Sequence, residues 1–282
     1  MYLLKLKPYV LIVRPGICIG TFILVLLSTW IAADHGFPVM AAILGAAGVA
    51  LNGGAGSVFN DIIDMRGDRN SNPQRMLPSG FLTRNQALGY YLLLLAASLL
   101  LLWRVNIWAL SIGIVTSLLL FIYSCKLREL SGILSNVVIA LSVAAMLAFG
   151  AVITRHLVPQ TGLLFGFGFS IGLVRELLGD VANIEGDKLQ GRLRTLPMSR
   201  GTYRVTGNAI TIWVITACFL GTPFVTGLFD RTLFAAVGFI IEALAVSLIL
   251  QHLFDGQVEK AQMVFKVLIF LYPATLALAT VH

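Results

Sequence analysis

The sequence predicts an all-α, polytopic membrane protein with nine transmembrane helices. Three observations carry that expectation. Hydrophobic residues make up 58% of the 282 and charged residues only 12%, whereas soluble globules are about a quarter charged. Mean hydropathy is +0.90. The apolar residues fall into continuous runs of helix-spanning length, not into the roughly ten-residue alternating segments of a membrane barrel.

Nine such runs are legible: residues 17–33, 39–59, 87–103, 107–124, 133–153, 158–174, 205–229, 232–253 and 261–281. The first lacks a small-residue cleavage site behind a short apolar core, so it reads as a retained span and not a signal peptide. The second closes on Leu51-Asn52-Gly53-Gly54-Ala55-Gly56-Ser57; small residues there permit close helix contact or leave room for a ligand. The fourth ends in Tyr123-Ser124-Cys125-Lys126-Leu127, a cation beside an aromatic ring. The fifth carries Asn136 near its start and the eighth carries Glu242 near its middle. Each is a polar group that must bind a ligand or a neighbouring helix. Links between runs are short except 60–86 and 175–204. The whole chain, 1–282, reads as one transmembrane domain.

Nine crossings place the N-terminus and the links after runs two, four, six and eight on one side. All but three of the 20 basic residues then share that side, the exceptions being Arg104, Arg155 and Arg231. The positive-inside rule makes that side cytoplasmic. The net charge of +7 is thus a topological signal and gives no reason to expect nucleic acid. The cysteines Cys18, Cys125 and Cys218 and the four histidines show no metal or disulfide spacing.

Both long links open on acidic clusters, each on the cytoplasmic side. The first is Asn60-Asp61-Ile62-Ile63-Asp64-Met65-Arg66-Gly67-Asp68 and the second is Asp180-Val181-Ala182-Asn183-Ile184-Glu185-Gly186-Asp187. If the second span continues as helix, Asn60, Asp64 and Asp68 form one polar stripe with Asp61 beside it. Asp180, Asn183 and Asp187 share a face in the same way, and Glu185 projects elsewhere. Carboxylates at a membrane surface are costly unless something uses them. Mg²⁺ is commonly held by one or two carboxylates together with substrate phosphates. Asp64, Asp68, Asp180 and Asp187 are the candidate ligands, with Asn60 and Asn183 assisting. Carboxylates alone repel a diphosphate, and Arg14, Arg66, Lys126, Lys188 and Arg192 are the candidate cations that offset them, with Arg128 and Arg194 nearby. No Ser-His-Asp arrangement can be drawn.

These residues resemble the UbiA superfamily of intramembrane prenyltransferases. The first cluster is an intact NDxxDxxxD signature. Asn72-Pro73-Gln74-Arg75-Met76-Leu77-Pro78-Ser79-Gly80 is similar to the family's N-x-x-R-P-x-P-S-G, and Arg14-Pro15 to its Arg-Pro before the first helix. Tyr123 to Leu127 looks like its Y-S-x-x-L-K region, shortened or shifted by one. The second cluster runs on through Gly191-Arg192 to Thr195-Leu196-Pro197, similar to the branch that includes digeranylgeranylglyceryl phosphate synthase and chlorophyll synthase. The chain departs from the family at Asn183, where an Asp is common, at Gly179, where a Lys is common, and at Met76, which replaces a Pro.

The resemblance implies a helical bundle around a central cavity, open sideways to lipid, with Mg²⁺ bridging the two Asp motifs. It implies transfer of an isoprenyl group from an isoprenyl diphosphate to an unidentified aromatic or lipid-like acceptor. An allylic cation would form, faced by the ring of Tyr123. Cyclisation of the prenyl chain on itself is the alternative within enzymes. A transporter is the alternative outside them; its sites would lie near the midplane, whereas these charges gather at one face. Tail length, acceptor and oligomeric state stay open.

Overall fold

The computed structural model describes residues 2–33, 36–191, 193–220 and 231–280, and every regular element among them is helical. A short α1 (Tyr2–Ile12) leads into α2 (Pro15–Ala32). Pro15 occupies the first turn of α2, where its missing N–H costs nothing. The long helices α3 (Val39–Ser71), α4 (Arg84–Val105) and α5 (Ile107–Ile122) follow. A π-helical turn, Tyr123–Leu127, and the single-turn α6 (Arg128–Leu130) extend α5. Next come α7 (Gly132–Thr154), α8 (Pro159–Ala182), the short α9 (Ile184–Gln190) and α10 (Leu196–Arg200), and then α11 (Thr202–Leu220), α12 (Arg231–Phe254) and α13 (Val258–Ala279).

Seven helices among the described residues are long and apolar enough to cross a membrane: α2, α3, α4, α5 with its extension, α7, α8 and α13. The seventh and eighth expected spans coincide with α11 and α12, which are not among those seven, so the expected count of nine is not established. Residues 221–230, which hold the end of the seventh expected span, and the side chain of Glu242 lie outside the described residues.

The helices close into a bundle because α2 packs on α3, α7, α8 and α13, while α8 packs on α7, α11 and α13. One core cluster joins α2, α7, α8, α11, α12 and α13 through Leu147, Ile171, Phe265 and Leu276. A second joins α1, α3 and α4 through Ile12, Val58 and Ala87. Large apolar side chains such as Leu93, Trp108, Val115 and Val267 remain exposed. Around a helical bundle, that is the surface a bilayer requires.

Small residues set the closest approaches. A Cβ on Gly54 would lie 3.2 Å from Cys18 Sγ on α2, and one on Gly56 would lie 3.0 Å from Leu120 Cδ1 on α5; Gly53 faces open space. The small stretch that ends the second span is therefore used chiefly for packing. At Gly150 the approach is backbone to backbone: a Cβ there would stand 2.1 Å from the Ser28 carbonyl oxygen of α2. Gly150→Ala is expected to destabilise the protein by about 1–3 kcal/mol through overpacking. Gly166→Ala, with nothing within 4 Å of the added carbon, should change stability by less than about 0.5 kcal/mol. Thermal unfolding of the two variants in the same detergent checks the contrast.

Two features of the fold carry the polar residues. α3 has 33 residues and so runs about 50 Å, well beyond the ~30 Å hydrocarbon thickness. The first acidic cluster thus continues the helix of the second span, as the spacing predicts, and ends where Asn72 caps it, its N–H donating to Asp68 O at 2.8 Å. The second cluster straddles a bend. α8 stops at Ala182, Asn183 takes φ −98° and ψ 8°, and α9 resumes until Gly191 at φ 66°.

Candidate active site

Side chains from α3, α7, α8, α9 and α13, the π-helical turn with α6, and the adjoining loops converge on one pocket of about 310 Å³. α3 supplies Asn60 and Asp64, and α8 with its bend and α9 supplies Glu176, Asp180, Asn183 and Asp187. Arg14, Arg75, Arg128 and Arg194 line the same pocket, with Asn72, Tyr123, Ser135, Asn136, Thr195 and Gln262. The two acidic clusters therefore share one cavity at one end of the bundle.

Each first-cluster carboxylate has a guanidinium partner. Arg14 donates to Asp61 at 2.8 Å, and Arg75 donates to Asp68 at 2.7 Å while lying 3.5 Å from Asp61. Arg128 pairs with Asp64. The relative exposures of Asp61, Asp64 and Asp68 are 6%, 4% and 0%, a burial that carboxylates tolerate only when paired. Asn60 steadies Asp64, its amide donating to Oδ2 at 3.1 Å. Arg14 adopts φ 56° and ψ 72°, a left-handed conformation uncommon for a non-glycine residue. It is held there between α1 and the proline-started α2, with its side chain on Asp61. Across the pocket, Asn136 donates to Asp180 at 2.9 Å. Burial pushes the Asp187 carboxyl above its usual range; Arg128 opposes that shift and Asp64 adds to it. A further cation beside Asp187 would favour its charged form.

The π-helical turn explains the shifted signature at 123–127. One extra residue in the turn rotates the helix beyond it, a distortion often found at functional sites. Lys126 consequently points outward and is exposed, while Arg128 turns in. The cation of this segment that lines the pocket is Arg128, and Lys126, the one expected there, does not line it. Tyr123 lines the pocket with its ring centroid 5.8 Å from the Arg128 guanidinium carbon.

Other expected residues lie apart. Arg66 is exposed and does not line the pocket; with Arg84 it lines an adjoining depression that shares Asp64 with the pocket. Lys188 pairs with Glu185 at 2.8 Å on an open surface, a contact of little energetic weight. Arg192 lies outside the described residues. Asp68 does not line the pocket and reaches it through Arg75. Glu176 and Gln262 went unrecognised in the sequence. Glu176 had a signal, since it precedes Asp180 by one turn on the same face. Gln262 had none, because α13 is remote in the chain.

Four arginines and the carboxylates of Asp64, Glu176, Asp180 and Asp187 line the pocket, but Arg14 and Arg75 are taken up by Asp61 and Asp68 and Glu176 by Arg175, so carboxylates outnumber guanidinium groups around the site. A site with an acidic excess disfavours a polyanion unless metal cations join it. Among the described residues no three acidic, histidine or cysteine side chains enclose an ion by themselves. That donor set suits a hard cation whose remaining ligands come from phosphate and water, the habit of Mg²⁺. Helices that span a bilayer and a pocket of mixed carboxylates, amides and guanidinium groups at their end define an intramembrane enzyme of anionic substrates.

Comparison with known proteins gives the family. Residues 21–272 match the UbiA prenyltransferase family, and the chain belongs to that family. It is 31% identical over 270 residues to digeranylgeranylglyceryl phosphate synthase of Thermococcus kodakarensis, covering 95% of this chain and 96% of that one. It is 32% identical over 216 residues to the enzyme of the same name from Methanosphaera stadtmanae, covering 76% of each. A solved structure concerned with digeranylgeranylglyceryl phosphate synthase in membranes superposes with a TM-score of 0.77 at 26% identity, over 98% of both chains. A UbiA homologue from Archaeoglobus fulgidus, bound to GPP and Mg²⁺, shares the fold at a TM-score of 0.70 and 17% identity, over 95% of this chain and 99% of that one. The protein is thus an integral-membrane prenyltransferase.

Proposed function

We propose that the protein transfers an isoprenyl group from an isoprenyl diphosphate to a hydroxyl of a lipid-like acceptor carrying a glyceryl phosphate, at the cytoplasmic face of the membrane. The observation that carries this reading is the pocket itself: two acidic clusters and four arginines around one cavity, with carboxylates in excess once Asp61 and Asp68 are counted. The names of the relatives above support this acceptor class, since digeranylgeranylglyceryl phosphate is a glyceryl phosphate bearing two isoprenyl chains. The distribution of Lys and Arg supports the cytoplasmic side.

Asp64, Asp180 and Asp187 would hold Mg²⁺, with Asn60 and Asn183 assisting and Asp68 acting through Arg75. When bound, the metal supplies positive charge against the departing diphosphate. The chain's own groups do the rest. Arg14, Arg75, Arg128 and Arg194 present forked donors to phosphate oxygens. Asn136 fixes the Asp180 carboxylate. As the C1–O bond of the donor lengthens, negative charge grows among these fixed dipoles and cations, where it is stabilised without reorganisation. Tyr123 offers a π face to the allylic fragment. The apolar bundle limits the access of water that would otherwise capture it.

The test is mass spectrometry of products formed by the purified protein with Mg²⁺, prenyl diphosphates of several lengths and pooled acceptors that include geranylgeranylglyceryl phosphate. The expected result is an ether whose mass is the acceptor plus one prenyl unit. A cyclic hydrocarbon formed without acceptor, or intact donor at every Mg²⁺ concentration, overturns the reading.

A further inference from the structure

One pocket residue comes from the far end of the chain and has no place in the diphosphate machinery. Gln262, on the first turns of α13, lines the pocket beside Gly179 and Asp180 of α8. Its Nε2 donates to the main-chain oxygen of Arg175 at 3.3 Å. A Cβ on Gly179 would stand 2.6 Å from that same nitrogen. The glycine is therefore a notch that lets the amide lie against α8, level with the second acidic cluster.

Of the other amides in the pocket, Asn60, Asn72 and Asn136 donate to the carboxylates of Asp64, Asp68 and Asp180, and Asn183 stands within the second acidic cluster. Among the described residues Gln262 hydrogen-bonds to no carboxylate and donates to a main-chain oxygen. Guanidinium groups only donate and ionised carboxylates only accept, so both suit phosphate and metal. A hydroxyl does both, and a carboxamide answers both through its oxygen and its second N–H. The carbonyl of Arg175 takes one of the two N–H groups, which fixes the plane of the amide and leaves the other groups for a ligand.

We propose that Gln262 binds the hydroxyl of the acceptor lipid, and that Gly179 acts by keeping its amide in place. The inference rests on the transfer reaction proposed above and adds a specificity-determining contact to it. Gln262 touches substrate, and Gly179 is a positioning residue.

The test is steady-state kinetics of wild type, Gly179→Ala, Gln262→Ala and the double variant, with donor and acceptor varied separately. Gly179→Ala meets only the tip of a flexible side chain, so it displaces Gln262 without obstructing the helix. Each single variant is expected to raise the acceptor KM about tenfold, the loss of one hydrogen bond to a substrate, and to leave the donor KM within about twofold. The double variant should be no worse than Gln262→Ala alone, because both remove the same contact. An unchanged acceptor KM in Gln262→Ala overturns the proposal. So does a donor KM that rises as far as the acceptor KM, which marks a general structural role. Multiplying losses in the double variant refute the part assigned to Gly179. If wild type transfers to no hydroxyl acceptor, the proposed function falls and this contact with it; if wild type transfers and the variants match it, this contact alone falls.

Discussion

Asp64→Asn is expected to lower turnover by at least about a thousandfold, the scale on which direct stabilisers of transition-state charge operate. The substitution keeps the shape of the side chain and removes its charge. Two things are lost together. The first cluster gives up the one pocket-lining carboxylate it offers a metal, and Arg128 is left without its anion. Because the Arg128 and Asp64 side chains are only 18% and 2% exposed, stranding the guanidinium should also cost about 3 kcal/mol of stability. Pairing Asp64→Asn with Arg128→Met separates the two losses. The double variant should regain most of the thermal stability and none of the activity. Activity that recovers along with stability would show that Asp64 serves the fold and not the chemistry.

Arg128→Ala gives the second large effect, with two opposite signs. Without substrate, Arg128 competes with any dication for Asp64. On the proposed mechanism, a metal that takes Asp64 releases the same guanidinium to a phosphate oxygen of the substrate. Removing it should tighten the binding of Mg²⁺ alone and weaken the binding of a prenyl diphosphate. Charge-assisted hydrogen bonds are worth about 1.5–3 kcal/mol, so each change should be roughly ten- to a hundredfold. Calorimetric titration of each ligand into wild type and variant reads both. If both affinities move in the same direction, Arg128 does not exchange between the two partners.

Much of this was legible in the sequence because its signals are local. Continuous apolar runs and the bias of Lys and Arg gave the class and the expected spans. The four-residue spacing from Asn60 to Asp68 gave a helical stripe, and α3 carries the cluster as one continuous helix. Cations were harder to place. Lys126 and Arg128 are two residues apart, and a π-helical turn that no spacing rule announces decides which of them faces inward. Arg66 sits within the first cluster and Lys188 directly after the second in sequence, but both lie on outer faces in space, since neighbours along a helix diverge by about 100° per residue. Asp68 belongs to the stripe, yet Arg75 of the following loop takes its carboxylate. Gln262 is the plainest limit: its nearest partners are 83 and 87 residues away, and only the packing of α13 on α8 brings them together.

The central claim is that the clusters of α3 and of α8 with α9 jointly hold a metal against a single diphosphate. Equilibrium binding of an unreactive prenyl thiodiphosphate, measured with Mg²⁺ and with chelator, tests it most directly in wild type, Asp64→Asn and Asp180→Asn. Binding should depend on Mg²⁺ in wild type, and either single substitution, one from each cluster, should abolish that dependence. Equal affinity in chelator, or full Mg²⁺ dependence in a variant that lacks one cluster's carboxylate, would contradict the claim.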